Sequence, residues 1–144
     1  MSYDTAGVAN QLVTVLTGLS GMGAVQIGQP ESVGVRVSAH VTMGSHSPAR
    51  KTNGIMQRET SFFVMLEYRL DGAEATAETT LMGLVDAFFQ AIQDDLTLGG
   101  TVFGTEISSP SANEPEYLLR AGKEYREYPI LITVTQRATF EVNP

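Results

Sequence analysis

From Arg58 to Leu70 two apolar series are interleaved along one segment: Thr60, Phe62, Val64, Leu66 and Tyr68 alternate with Ser61, Phe63, Met65, Glu67 and Arg69. Successive side chains of a strand point to opposite faces, so a strand here is greasy on both sides around Phe62 to Leu66. It belongs inside a sheet, with one face against a helix. The other face lies against a second layer or a neighbouring subunit, or is closed by local burial within one domain, and the pattern alone admits each. Asp71-Gly72 ends the strand.

The remaining periodicities fill in one layered domain. Val8, Leu12, Val15, Leu16 and Leu19 recur every three or four residues, which predicts a helix capped by Asp4 or Thr5 and ended by Gly18, Gly21 and Gly23. Val33 to Met43 alternates as a half-buried strand, and Val25 with Ile27 forms a shorter one that Gly28-Gln29-Pro30 turns into an antiparallel hairpin. Residues 44–54 hold no large apolar side chain beyond the strand and carry Pro48, Gly44 and Gly54, so they read as a long mobile loop. Such a loop serves binding or assembly, or is a plain hairpin tip. Ala73 to Leu96 is the strongest helix, with Leu81, Val85, Phe88, Phe89, Ile92 and Leu96 at helical spacing; from Glu74 to Asp95 it has five acids and no base. A short strand at Thr101 to Ile107, a loop with Pro110 and Pro115, and strands at Tyr117 to Ala121 and Tyr125 to Gln136 joined through Gly122-Lys123 complete the order. Residues 138–144 read as a tail, free or docked on a neighbour. Consecutive strands without strict strand–helix alternation predict an α+β fold, a mostly antiparallel β-sheet with two main helices packed on one face, in a single domain over 1–144.

Several chemistries are excluded or find no support. The chain has no Cys, hence no disulfide, thiolate nucleophile or Cys-ligated zinc. Its formal charge of −7 disfavours general adhesion to nucleic acid or anionic membranes. No apolar run approaches the ~20 residues of a membrane span, and the first ten residues lack the basic start of a secretory signal, so a soluble, unprocessed product is expected. His40 and His46 match no metal motif and read as solvated imidazoles. No Gly-x-Ser-x-Gly elbow occurs, Asp94 and Asp95 point in different directions, and the glycines at 18, 21 and 23 follow a helix rather than precede one. No catalytic residue, metal or cofactor is therefore expected, and the chain does not read as an enzyme. Arg50, Lys51 and Arg58 are the only local basic concentration; they dock an acidic partner or simply keep an exposed loop soluble. A binding module is the other possibility, with the Phe62 to Tyr68 face and Phe88-Phe89 lining a pocket, although aromatics at those spacings more often fill a core.

The order of an amphipathic helix, a hairpin, a long loop, the Phe62-Phe63-Val64-Met65-Leu66-Glu67-Tyr68 strand, an acidic helix and the Tyr128-Pro129-Ile130-Leu131-Ile132-Thr133-Val134 strand resembles the tail-terminator proteins of long-tailed bacteriophages. The likeness spans nearly the whole chain and is one of size, order and texture. It implies a homo-oligomeric ring, hexameric in that family, that caps the tail tube, stops its polymerisation and meets the head-completion or connector protein. Genomic DNA is then a partner only in passage, membranes are none, and the location is the head-proximal end of the virion tail, assembled in the host cytoplasm. Tail-tube and head-closure subunits share this texture. No family motif maps residue by residue, so the candidate interface residues Arg50, Lys51, Arg58, Phe63 and Met65, and the candidate acidic lumen residues Asp86 and Asp94, rest on their chemistry.

Overall fold

The computed structural model describes residues 3–30, 35–52, 54–109 and 116–139. The expected strand start at Val33, the loop residue Asn53, the prolines at 110 and 115, and the tail beyond Thr139 lie outside the described residues. The elements are α1 (Thr5–Thr17), β1 (Ala24–Ile27), β2 (Val37–His46), β3 (Arg50–Thr52), β4 (Ile55–Arg69), α2 (Glu74–Asp94), β5 (Gly104–Ser108), β6 (Glu116–Arg120) and β7 (Lys123–Thr139). One seven-stranded sheet has the order β1-β2-β4-β7-β5, with β3 also on β4 and β6 also on β7. All pairings are antiparallel except β1 with β2. This is the expected α+β class, with both helices on one face of the sheet.

Local chemistry accounts for the ends of the elements. Asp4 caps α1 by accepting from the Gly7 amide at 2.9 Å, and a Cβ at Gly7 would lie 2.3 Å from Asp4 Oδ2, so glycine gives the cap its room. The β6–β7 turn places Ala121 and Gly122 at φ +51° and +75°, the paired positive φ of a two-residue hairpin whose twist matches its strands. The core lies between the helices and the even-numbered side of β4. Phe62, Val64 and Leu66 meet Ala39 and Val41 of β2 and Ile130, Ile132 and Val134 of β7, covered by Val8, Leu12 and Leu16 of α1 and by Leu81, Leu84, Phe88 and Ile92 of α2.

Four expectations are corrected. The segment Val25 to Ile27 does not form an antiparallel hairpin: β1 runs parallel to β2, and the Gly28 amide continues that ladder by donating to Val41 O at 2.8 Å. The segment 44–54 is not loop throughout, since β2 runs on to His46 and Arg50–Thr52 pair as β3 with Gln57, Met56 and Ile55. Likewise Ala138 and Thr139 still belong to β7, opposite Met56 and Ile55. In α2, Leu96 lies past the helix and is half exposed; Leu84 is the residue that packs.

Candidate assembly surface

Strand alternation sorts the long strand β4 into two sides with different fates. The even side is the core. The odd side carries Ser61, Phe63, Met65 and Glu67 on the face without helices, where cross-strand neighbours complete short rows: Thr42–Phe63–Leu131 and His40–Met65–Pro129. Phe63 is 39% exposed, and Met65, Pro129 and Leu131 are half-buried. The two faces of the Phe62 to Leu66 segment thus differ: one is sealed inside the molecule, and the other leaves an apolar stripe at the surface.

At one end this face becomes a buried polar cluster. The cross-strand row is Ser38–Glu67–Glu127–Glu116, contributed by β2, β4, β7 and β6. Arg120, near the tip of the β6–β7 hairpin, forks onto Glu67 through Nη1 to Oε2 at 2.5 Å and Nη2 to Oε1 at 3.3 Å, and its guanidinium lies 5.5 Å from the Tyr125 ring centroid. The Glu67 side chain is fully buried and that of Arg120 is 7% exposed. His40 Nδ1 sits 3.1 Å from Glu67 Oε1, an ion-pair distance without hydrogen-bond alignment, and the buried Ser38 Oγ has no hydrogen-bond partner. Burial pushes the Glu67 carboxyl upward, but His40 and Arg120 outweigh it and hold the group below its ordinary range. For Glu127, burial and then the Glu67 charge raise the carboxyl, and Arg120 and His40 compensate only in part.

The sequence reading placed His40 on a solvated face, and that is overturned: it is 5% exposed, with Nδ1 beside the buried Glu67 carboxylate. His46 is exposed and shares a 2.8 Å hydrogen bond with Thr60 Oγ1. Among the described residues no three His, Asp or Glu stand together as metal ligands, and no helix is long and apolar enough to cross a membrane.

The three basic residues differ in register, although Arg50 and Arg58 line one cleft. Arg50 pairs with Gln57, on the odd side with Phe63 and Met65, and lines an open cleft of about 340 Å³ together with Ser47, Pro48, Gln57, Arg58 and Glu59. Lys51 pairs with Met56, on the even side. Arg58 is also on the even side, where Nη2 donates to Thr5 Oγ1 at 2.9 Å, Nε donates to Gln136 Oε1 at 3.2 Å, and the guanidinium lies over the Tyr3 ring. It therefore ties the start of α1 to the sheet. Asp86 and Asp94 are exposed on α2, Asp94 accepting from Gln90 Nε2 at 2.8 Å. Phe62 and Phe88 are buried core residues. What sequence reasoning missed is Arg120 as the partner of Glu67: the two are 53 residues apart and meet only through the β4–β7–β6 register.

A mixed seven-stranded sheet backed by two helices on one face, with an apolar stripe and a buried polar cluster on the other, defines an α+β fold. Over 99% of its length the chain matches the solved sheath/tube terminator of PVC, an extracellular contractile injection system, in the extended state, with a TM-score of 0.54 and 9% sequence identity. The chain spans 59% of that terminator chain. At this identity the two share a fold. No family model and no curated protein matches the sequence.

Proposed function

We propose that this chain is a tail-terminator subunit of a phage tail or related injection particle. Copies close into a ring, six in the form the phage family takes, that sits on the end of the tail tube, stops its polymerisation and presents its far side to the head-joining protein. The reading is carried by the helix-free sheet face: Phe63 is 39% exposed beside half-buried Met65, Pro129 and Leu131, an apolar stripe that an isolated subunit leaves wet. A heterologous contact repeated by rotation closes such surfaces into a ring. The match to a terminator along almost the entire chain supports the same role.

Function here is contact, not bond chemistry. The exposed acids Asp86 and Asp94, on a helix without bases, give one wall a negative potential that repels a passing genome if it faces the bore. The test is polymerisation of tube subunits from the same source with and without this protein, with tube length and end occupancy measured by electron microscopy. Short tubes capped at one end are the expected result. Unchanged tube lengths with bare ends refute a terminator, and stacking of this chain itself into long tubes makes it a tube subunit.

A further inference from the structure

The helix-free face has opposite charges at opposite ends of β4. Arg50 pairs with Gln57 at one end, and the Glu67–Glu127–Glu116 row crosses at the other. Ten residues of strand separate Gln57 from Glu67, about 33 Å at 3.3 Å per residue. Between them run Phe63 and Met65.

Among the described residues, both ends lack a full set of charge partners. Arg36 and Arg69 reach Asp71, Arg120 reaches Glu67, Arg126 reaches Glu78, Arg58 reaches Thr5 and Gln136, and Arg137 reaches Gln57. Arg50 is exposed and makes no hydrogen bond, ion pair or ring contact among the described residues, although Glu59 lines the same cleft. At the other end Arg120 is committed to Glu67, and among the described residues the half-buried Glu127 and the exposed Glu116 stand opposite each other with no ion pair of their own. Beside this row, Ser38 Oγ is buried with no hydrogen-bond partner among the described residues. Two like charges directly across a strand pair are unfavourable until a cation joins them.

We propose that successive copies meet head to tail along this face, with Arg50 of one copy seated on the Glu116–Glu127 carboxylate pair of the next, and the contact covering Phe63 and Met65. The arrangement rests on the ring reading above and specifies its seam. Arg50 supplies a rigid fork that fits a pair of carboxylates, and because the two patches differ and lie at opposite ends of the subunit, each copy can use both at once. The apolar stripe supplies the buried area, while the charges set orientation and suppress wrong pairings.

The experiment is a charge exchange on the full chain, read by sedimentation or mass photometry across concentration. R50E and E116K alone are each expected to raise the concentration at which half of the chains are assembled by about tenfold or more, and R50E/E116K together to restore most of it. E127K is a second acid-end variant, and far-UV circular dichroism with an unfolding midpoint confirms that each variant folds. If the wild type forms rings that neither R50E nor E116K weakens, the seam is wrong while the ring stands. If the wild type is monomeric at every concentration and ignores tubes, the ring itself is wrong. Rescue with assembly stopping at two subunits overturns the head-to-tail form in favour of two-fold closure of the same face.

Discussion

Replacing Glu67 with leucine while Arg120 stays in place is a severe and informative change. Leucine keeps a bulky side chain at the site, but the forked contacts at 2.5 and 3.3 Å vanish and a guanidinium only 7% exposed is left without its anion. Removing one partner of a buried pair costs about 3–5 kcal/mol. That is a large share of the roughly 5–15 kcal/mol that holds a domain together. With a urea dependence of about 2 kcal/mol/M, the unfolding midpoint should fall by about 1.5–2.5 M, followed by circular dichroism. Replacing both Glu67 and Arg120 with leucine should recover much of the loss, since the Arg120 guanidinium is then no longer stranded. The hairpin tip offers Arg120 one escape, outward into water. A single-variant cost below about 1 kcal/mol, with the double variant no better, refutes the claim that this pair clamps the β6–β7 hairpin to the sheet.

The start of α1 and the two glutamates give further tests. Asp4→Ala should cost about 1 kcal/mol through loss of the cap on the Gly7 amide, seen as a lower thermal midpoint with an unchanged fold. Stability should vary with pH in two opposed steps. Glu127 is raised in the folded state, so its ionised form costs stability at neutral pH and that cost is relieved as pH falls below its folded value toward the ordinary glutamate value of about 4.3. Glu67 is lowered, so its contribution is present above about 4.3 and is lost as pH falls through its folded value. Chemical denaturation across this range should show a modest rise and then a fall on acidification. Glu127→Gln should remove the first step, and Glu67→Gln the second.

Much of the architecture is legible in the sequence because period and face coincide. The alternation around Phe62 and the helical spacing of Leu81, Phe88 and Ile92 each mark an element whose buried side the structure then uses. Capping at Asp4 is legible for the same local reason. Pairing partners are not, because strand propensity carries no direction: Val25 and Ile27 read as a strand, but only the Ala24↔Ser38 register makes it parallel. The segment after Met43 misleads in another way. Polar residues such as Arg50 and Lys51 look like loop, yet they satisfy their backbone by pairing along the extended β4. The surface is legible by half. Phe63 and Met65 stand out as apolar residues on a second face, whereas the cluster around Glu67 depends on Arg120, far away in the chain. Arg50 and Lys51, neighbours in sequence, fall on opposite sides of the strand register, while Arg50 and Arg58 line one cleft.

The open apolar stripe is the physical core of the proposed role, and substitution at Phe63 addresses it most directly. Phe63→Lys places a charge on the helix-free face without touching the even-side core, so the unfolding midpoint of the folded chain should move little. The decisive measurement is particle mass over a wide concentration range for wild type and Phe63→Lys. A discrete multi-subunit species for the wild type that reverts to monomer in the variant is expected; a wild type that stays monomeric throughout, or a variant that assembles equally well, contradicts it.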